Sequence, residues 1–473
     1  MDYELMVGSL SSQLRDCISR DALVAACRHG RYDDREYFYE DVIRQAYIRA
    51  FRVYIGQLYW FTGTVWELLP DTLLYNGFRS ALVDIAYDFF PTIRSEVSKC
   101  LRRVLPKIKS SCCKPLGVSN SIVGFRNCVV DFGDVHNPVV HSLDEGMPVL
   151  DLLDYDYDPD AVCPVWCSFL EQMLTRSQRV LLQKFLGLGC VDRRKVGIEK
   201  TLWLIGSGAN GKSTVEGVVC GVFGRSRVST IRLDDLLNRR PDERMRSMYM
   251  IAGKVFNYSN EVHESDIMHS ADTFKALCSG DKQAVRSLGR DITETAEIPY
   301  LICNMNRPPE MRNLDKAIIR RLLQIRFRAS VSDEEMDLSL GERLRGEYSG
   351  IRNWMLQGYM MLERDGFIFS DEDKEGNDIA VMVENGRTLD AFLTTIGVRD
   401  WVRRGQLDEK PQWVRASSLF LQYEAWCNGH NYPSDTMTAF GRHMRERFRS
   451  AKRAGNVFYA LYADGQLPPA LLK

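Results

Sequence analysis

An α/β fold is predicted for the middle of this chain by three apolar segments that each end in polar residues. Residues 202–205 precede a glycine-rich segment, residues 251–261 end in Asn-Glu, and residues 297–306 end in Asn. Runs of this composition are typical of buried strands, and residues 214–220, which follow the first run, can form a helix. Strands that alternate with helices around one core are the pattern of an α/β domain.

Length and composition limit the class of protein. With 473 residues, of which 45% are hydrophobic, the chain can hold roughly two to four domains with buried cores. Its formal net charge of −1 means that any nucleic-acid surface must be a local basic patch. We expect no membrane span and no signal peptide, and therefore a cytoplasmic protein. The 13 cysteines follow no disulfide pattern and are expected to be buried thiols.

The glycine-rich segment GSGANGKST has the sequence of a phosphate-binding P-loop. Its glycines allow backbone N–H groups to approach phosphates, and the following helix adds a partial positive charge at its N-terminus. Lys212 can reach the β- and γ-phosphates, and Ser213 can bind Mg²⁺. The candidate nucleotide-binding residues are Gly206, Ser207, Gly208, Ala209, Asn210, Gly211, Lys212, Ser213 and Thr214.

The ends of the next two predicted strands carry candidate groups for hydrolysis. In P-loop ATPases an acidic pair often follows the second of these strands, but only Glu261 is acidic here, so it is the candidate base for the attacking water. Asn260 occupies the other position, where it can hydrogen-bond a Mg²⁺-bound water without contributing charge. Asn306 ends the third strand, where an Asn can orient the water or sense the γ-phosphate.

Adjacent arginines, Arg320 and Arg321, lie in the apolar segment 315–327. Such a pair could project into the nucleotide site of a neighbouring subunit. An arginine that stabilises the developing phosphoryl charge contributes about 10³–10⁵ in rate. The segment alone does not decide between this role and a surface pair.

Two basic segments are candidates for contact with nucleic acid. Residues 280–291 are predicted to form a hairpin with Arg290 near its tip, and Lys282, Arg286 and Arg290 would give it positive charge for a phosphate backbone. Residues 439–452 are predicted to form a basic helix that includes Arg445 and Arg449. It is the third helix of a helix, helix, helix, strand order that is compatible with a winged helix. A solvated or subunit-facing helix is the alternative.

The order of these motifs resembles that of the superfamily III helicases, specifically the phage, plasmid and poxvirus primase-helicase type. The resemblance is carried by GSGANGKST (206–214), NYSNE (257–261), SGDKQAVRSLGRD (279–291), ICNMNRPPE (302–310) and IIRRLLQIRF (318–327). Segments 156–174 and 349–362 are also similar to that type. The resemblance as a whole covers about residues 120–460. The set of motifs is specific, although no single motif after the P-loop is.

The resemblance implies an AAA+-like α/β core that uses ATP and Mg²⁺ and forms a ring, usually a hexamer, that translocates on single-stranded DNA. In this implied scheme Glu261 is the base and Asn306 the sensor. Arg321 matches the arginine finger that acts across the subunit interface, with Arg320 as the second choice. The DNA-contacting hairpin is matched by Arg286 and Arg290.

This sequence departs from the family pattern in two places. Asn260 replaces an acid that many relatives carry, which leaves the metal geometry open. Many relatives also have an N-terminal primase-polymerase domain, but the first 115 residues show neither an acidic triad nor a zinc pattern for it. We therefore expect the helicase part alone, with priming supplied by another protein or absent.

The expected chain has four parts. They are a mainly helical N-terminal region (1–115, with a helix over 37–58 and a hairpin over 59–68), a small α+β/helical domain with short strands (116–195), the ATPase core (196–345), and a helical segment with a winged-helix-like C-terminal domain (346–473).

The expected function is that of an ATP-dependent DNA helicase that acts as a ring in the replication of a phage, plasmid or other mobile element. Its expected partners are single-stranded or forked DNA, further copies of the same chain and, as a candidate, a separate primase or polymerase. It would work in a bacterial host cell or at a viral replication site. A non-unwinding ATP-dependent origin-binding initiator and a protein-remodelling NTPase are the alternatives.

Overall fold

The computed structural model describes residues 3–22, 32–86, 93–109, 114–206, 211–260, 270–287, 292–305, 316–327, 337, 339–370, 388–398, 411–430, 436–453 and 455–462. The chain divides into two units. Unit 1 comprises Met1–Asp160, Cys190–Lys195 and Asp291–Thr295, and unit 2 comprises Ala161–Gly189, Val196–Arg290 and Ala296–Lys473. The four-part division expected from the sequence stays a prediction.

Unit 1 begins with helices that share one apolar core. They are α1 (Tyr3–Cys17), α2 (Tyr32–Ala50), α3 (Asp71–Ala86) and α4 (Ile93–Lys109). Each contributes buried residues at helical spacing, for example Leu10 and Leu14 from α1 and Leu74 and Phe78 from α3. The mainly helical character that the sequence predicts for this region is therefore confirmed for the described residues.

A three-stranded antiparallel sheet follows α2. Its strands are β1 (Phe51–Tyr54), β2 (Gln57–Phe61) and β3 (Trp66–Leu68). The helix predicted over residues 37–58 is wrong after Ala50, because Ile55 and Gly56 both have positive φ (44° and 67°) and turn β1 back onto β2. A two-residue turn of this kind suits the twist of a hairpin. The hairpin predicted over 59–68 is confirmed by the pairing of β2 with β3.

A second small sheet completes the part of unit 1 that bears on the fold. Strands β4 (Ile122–Gly124), β5 (Val129–Asp131) and β6 (Val139–His141) pair antiparallel in that order. Phe125, Phe132 and Tyr157 pack edge to face or tilted beside it. Single 3-10 turns lie at Leu143–Glu145 and Arg193–Lys195. The short strands predicted within residues 116–160 are confirmed.

Unit 2 contains a five-stranded, entirely parallel sheet. Its strands are β7 (Thr201–Ile205), β8 (Val228–Ser229), β9 (Phe256–Asn260), β12 (Tyr300–Met305) and β13 (Leu322–Arg326), in the spatial order β13-β7-β12-β9-β8. All residues of β7, β12 and β13 are buried, which fits their mainly apolar composition. The α/β core that the sequence predicts is therefore present.

Helices surround this sheet. They are α5 (Pro164–Met173), α6 (Arg176–Gly187), α7 (Lys212–Phe223), α8 (Leu233–Leu236), α9 (Pro241–Ile251), α10 (Ala271–Ser279), α11 (Lys316–Ile319), α12 (Leu340–Arg345) and α13 (Tyr348–Arg364). Helices α6 and α7 cover one face, since Phe185 and Phe223 both pack against Phe256 of β9. Strands β10 (Gln283–Val285) and β11 (Thr293–Thr295) precede and follow the predicted hairpin tip, and β11 belongs to unit 1.

The C-terminal part of unit 2 has its own core. Its elements are α14 (Thr388–Thr395), β14 (Gln412–Arg415), α15 (Ala416–Gly429), α16 (Met437–Arg447), β15 (Ser450–Arg453) and β16 (Asn456–Leu461). The strands pair antiparallel in the order β14-β16-β15. Phe392, Tyr423 and Phe440 are buried between the helices.

The helix predicted over residues 439–452 is wrong in its last turn. It ends at Arg447, and Ser450–Arg453 forms strand β15, which pairs with β16 and turns through Gly455 at φ 78°. A run of basic residues does not distinguish a helix from a strand, whereas pairing with β16 does. Among the described residues, every helix is too short or too polar to cross a membrane.

Candidate nucleotide site

The glycine-rich segment connects the carboxyl end of β7 to the first residue of α7. Gly206 follows Ile205, and Lys212 opens the helix, while Ser207, Gly208, Ala209 and Asn210 lie outside the described residues. Gly211 has φ 83°, and a Cβ there would lie 2.8 Å from the ring of Phe169. Both the backbone conformation and the space therefore require glycine at this position.

Lys212 is buried at the N-terminus of α7, and its Nζ donates a hydrogen bond to the carbonyl oxygen of Gly206 at 2.5 Å. Burial lowers the pKa of Lys212 below its usual value, because the protein replaces the water that would stabilise the ammonium. Ser213 beside it is exposed, and Thr214 is half-buried. A cation and the N–H groups of a first helical turn lie together here, which is the arrangement found in anion-binding sites.

Side chains of β9 alternate between the two faces of the sheet, and one set faces α7. Phe256 lies 5.3 Å from the ring of Phe223 on α7, measured between centroids. Tyr258 is buried on the same face, and its pKa is raised by burial and then by the charge of Glu216 on α7. Because side chains two residues apart point to the same face, Asn260 at the exposed end of β9 shares this face.

Asn304 of β12 lies between Leu204 of β7 and Asn260 of β9 in the register of the sheet. Its Nδ2 donates a hydrogen bond to Oε2 of Glu216 at 2.9 Å. Its Oδ1 is buried and has no hydrogen-bond partner among the described residues. Burial raises the pKa of the Glu216 carboxyl group, and the bond from Asn304 opposes that rise.

Sequence reasoning missed Glu216 and Asn304. A signal for Glu216 was present, because it is the one acid on a helix that is otherwise rich in valine. Asn304 carried a weaker signal as a polar residue inside an otherwise apolar strand. Their contact joins residues 88 positions apart and follows only from the fold.

The chemistry of these side chains fits Mg²⁺, which takes oxygen ligands and usually keeps several waters. A hydroxyl (Ser213), a carboxylate (Glu216) and two amides (Asn260 and Asn304) provide oxygen atoms in the first turns of α7 and at the ends of β9 and β12. The buried Oδ1 of Asn304 has no bond within the described part of the chain, and an ordered water of the metal's hydration shell would supply one.

Two predicted catalytic residues, Glu261 and Asn306, lie outside the described residues. They follow Asn260 and Met305, the last residues of β9 and β12. Their roles as base and sensor stay predictions.

The arginine pair lies at the opposite edge of the sheet. The backbone N–H of Thr201, at the start of β7, donates to the carbonyl oxygen of Arg321 at 2.8 Å. The Arg321 side chain is buried: its Nη2 lies 2.6 Å from Oε2 of Glu199, and its Nη1 donates to the carbonyl oxygen of Ala317 at 2.7 Å. The Arg320 side chain is 66% exposed and lies 3.4 Å from the same Glu199 oxygen.

Strand β7 therefore separates this pair from Lys212. Five residues lie between Lys200 and Gly206, and at about 3.3 Å per residue the strand spans roughly 15 Å. Of the described residues in the glycine-rich segment, Gly206 and Lys212 lie about one strand length from the arginines of their own chain. Arg321 as the arginine finger stays a prediction. Its guanidinium is buried, whereas that of Arg320, the second choice, is mostly exposed although it also contacts Glu199.

The predicted DNA-binding residues fall into two groups. Lys282 is exposed just before β10, and Arg286 just after β10 forms an ion pair with Asp242 at 3.5 Å. Arg290 lies outside the described residues. Arg445 is exposed on α16, and Arg449 is exposed between α16 and β15 rather than on a helix.

Further exposed cations lie on the same helix as Arg445 and on the strand that follows Arg449. They are Arg442 on α16 and Lys452 and Arg453 on β15. The Arg453 guanidinium lies 4.9 Å from the centre of the Trp413 ring. We call Arg442, Arg445, Arg449, Lys452 and Arg453 the C-terminal basic surface.

The chain was compared with family models, with curated proteins and with solved structures. A family model described as "Family of unknown function (DUF5906)" matches residues 204–321. No curated protein matches the chain.

Three solved structures of one protein region are similar to it. The first is "The apo structure of NrS-1 C terminal region (305-718)", at 11% identity and a TM-score of 0.35, covering 73% of this chain and 96% of that chain. "The A form apo structure of NrS-1 C terminal region-CTR(305-718)" has 11% identity and a TM-score of 0.35, covering 72% and 96%. "The A form apo structure of NrS-1 C terminal region-CTR" has 12% identity and a TM-score of 0.32, covering 73% and 97%.

Proposed function

We propose that this chain binds and hydrolyses ATP with Mg²⁺ and uses the hydrolysis to translocate on single-stranded DNA as a ring-forming helicase in the replication of a phage, plasmid or other mobile element. One observation carries the proposal. Lys212, at the N-terminus of α7, lies at the carboxyl edge of a parallel sheet, and the polar residues Glu216, Asn260 and Asn304 share one face of that edge.

The topology of the sheet supports a nucleotide site at this edge. Strand β7 lies between β12 and β13, which both follow it in sequence by about 100 residues or more. In open parallel sheets, ligands bind in the crevice outside the carboxyl ends of the strands, where the chain leaves to both sides. The phosphates would be bound by the backbone of residues 206–214, by Lys212 and by the N-terminus of α7.

In this proposal each further residue has a separate role. Ser213 binds Mg²⁺, Asn260 orients a metal-bound water, Glu261 removes a proton from the attacking water, and Asn306 orients that water. Ser213 would hold Mg²⁺, and the metal would supply positive charge to offset the charge that develops during phosphoryl transfer.

The position of Arg320 supports a homo-oligomer. An exposed guanidinium at the amino edge of the sheet is separated from its own nucleotide site by the length of β7. If it stabilises phosphoryl charge, it does so in the site of another copy. A ring, with six subunits as the resemblance implies, gives every site one such arginine.

The C-terminal basic surface supports contact with DNA. The part of the chain that carries this surface has the element order helix, strand, two helices and a two-stranded hairpin. We propose that this part is a winged-helix-like domain with α16 facing the DNA. Exposed Lys282 and the hairpin residues Arg286 and Arg290 would contact the single strand in the ring.

The first experiment is a measurement of ATP hydrolysis with and without single-stranded DNA at low and moderate salt, together with the mass of the particle in solution. We expect DNA to stimulate hydrolysis, salt to weaken the stimulation, and the particle to contain several subunits. Lys212→Ala is the control for contaminating activity, and we expect it to lower hydrolysis at least about 10²–10³-fold.

Two results would contradict the proposal in different ways. Hydrolysis that is indifferent to DNA would favour a protein-remodelling NTPase. Bound nucleotide without hydrolysis would favour an initiator or switch, and would direct attention to the missing acid at Asn260.

A further inference from the structure

We propose that Glu216 on α7 supplies the carboxylate that β9 lacks at Asn260, and that it positions a Mg²⁺-bound water beside Ser213. This inference rests on the proposed nucleotide site and adds a residue that the sequence motifs do not include. Glu216 is a positioning residue in this scheme, because it acts through water rather than on the phosphates.

The first step is the geometry of α7. Glu216 is three residues after Ser213 and four after Lys212, so the three side chains are neighbours on the helix surface. Helical side chains tilt towards the N-terminus of their helix. The carboxylate of Glu216 is therefore directed back over the turn that carries Ser213, which is the turn that would contact phosphate and metal.

The second step is the contact with β12. The hydrogen bond from Asn304 Nδ2 fixes Oε2 of Glu216 at 2.9 Å, and Oε1 takes no part in this bond. The carboxylate is thus held between α7 and the sheet in one orientation. Asn304 is also the register neighbour of Asn260, so the carboxylate is held one strand away from the position where an acid is missing.

The third step concerns polar atoms that lack partners. The Oδ1 of Asn304 and the hydroxyl of Tyr258 are both buried on the face that α7 covers, and neither has a hydrogen-bond partner within the described ranges. Buried polar groups are nearly always bonded to protein or to ordered water. Water molecules held by a divalent cation beside Glu216 would satisfy both atoms.

The fourth step is charge. Mg²⁺ sites that bind nucleotides usually take one or two carboxylates together with the phosphates. Asn260 contributes none, and a half-buried carboxylate at Glu216 needs a cation or strong donors nearby to be favourable. Groups that orient metal ligands from the next shell typically contribute about 10–100-fold in metal affinity.

The experiment is a titration of a fluorescent ADP analogue, first in EDTA and then at increasing Mg²⁺, for the wild type and Glu216→Gln. Gln keeps the shape and can still accept the bond from Asn304, so the variant removes only the charge. We expect equal affinity in EDTA and an increase of about 10–100-fold in the Mg²⁺ concentration needed for half-maximal binding. Glu342→Gln, at an exposed position on α12, is the matched control and should behave as wild type.

A charge-relocation variant sharpens the test. Adding Asn260→Asp to Glu216→Gln returns a carboxylate to the neighbouring strand, and we expect the Mg²⁺ requirement to fall back towards the wild-type value. If the role of Glu216 is only structural, the Mg²⁺ requirement will be unchanged in Glu216→Gln. Adding Asn260→Asp will then not lower it.

The failures of the two proposals are distinguishable. A wild-type protein that binds no nucleotide would overturn the proposed function. Mg²⁺-dependent binding by the wild type, with the same Mg²⁺ requirement in Glu216→Gln, would overturn only this inference. If Glu216→Gln does not fold, Glu216→Asp keeps the charge and shortens the side chain. An increased Mg²⁺ requirement in that variant supports the inference, and an unchanged one overturns it.

Discussion

The two edges of the five-stranded sheet carry polar groups in different states. At the carboxyl edge, Ser213 and Asn260 are exposed and Asn304 Oδ1 has no partner among the described residues. At the amino edge, Arg321 is buried and bonded to Glu199 and Ala317 of its own chain. Arg320 differs from Arg321, because its guanidinium lies mostly in solvent.

This difference separates groups that hold the fold from groups that are available for a ligand. A charged side chain that is buried and bonded within its chain contributes to stability, and its removal leaves a partner unpaired. An exposed or partly bonded polar group contributes little to stability and can bind something else. Substitutions at the two edges should therefore change different measured quantities.

The largest effect is expected for Arg320→Ala. If Arg320 reaches the nucleotide of a neighbouring subunit, turnover should fall about 10³–10⁵-fold while nucleotide affinity and thermal stability stay near wild type. Steady-state ATP hydrolysis and nucleotide binding measure this. Mixing the variant with active subunits should depress their activity, whereas activities that simply add would argue against an arginine shared between subunits.

Arg321→Ala should act on stability. Removing the guanidinium breaks the ion pair with Glu199 and the bonds to Ala317 and Ser279. We expect a loss of about 2 kcal/mol in the free energy of unfolding. This is less than the loss for a fully buried ion pair, because Glu199 is partly exposed. Denaturant unfolding tests this with Arg320→Ala as the matched control. A stable Arg321→Ala protein that has lost turnover would instead make Arg321 the arginine finger.

Gly211→Ala should disturb the carboxyl edge without touching the amino edge. A left-handed backbone costs a non-glycine residue about 1–2 kcal/mol, and the new Cβ would also meet the ring of Phe169. We expect nucleotide affinity to fall about tenfold or more. Gly217→Ala, in the same helix with open space around its Cβ position, is the control. Equal affinities in both variants would show that the conformation of Gly211 is not needed for binding.

The smallest effects are expected at the C-terminal basic surface, where exposed cations resemble Arg320 more than Arg321. Arg445→Ala and Arg449→Ala should each reduce the slope of log affinity against log salt for DNA by about one. Stability should be unchanged. Fluorescence anisotropy across a salt series measures the slope, and an unaltered slope in the double variant would remove this surface from the DNA-binding proposal.

Much of the α/β core could be predicted because its signals are local. Residues 202–205 of β7 form a continuous apolar run, and the glycine-rich segment lies between this run and a helix. A local signal can also mislead. The helix predicted over 37–58 is wrong from Phe51 onward, because the aromatic and β-branched residues there also fit helical spacing. Only the positive φ of Ile55 and Gly56 turns this segment into a hairpin.

The sequence by itself determined which chemical groups are present: a glycine-rich segment followed by Lys-Ser, a strand end with one acid, and an arginine pair. Only the tertiary structure decided how they are arranged. Arg320 and Arg321 are adjacent and identical in chemistry, yet the turn between α11 and β13 buries one and exposes the other. Glu216 gained its proposed role because parallel pairing brings Asn304 beneath α7 and beside Asn260. Such contacts join distant residues, and no local pattern encodes them.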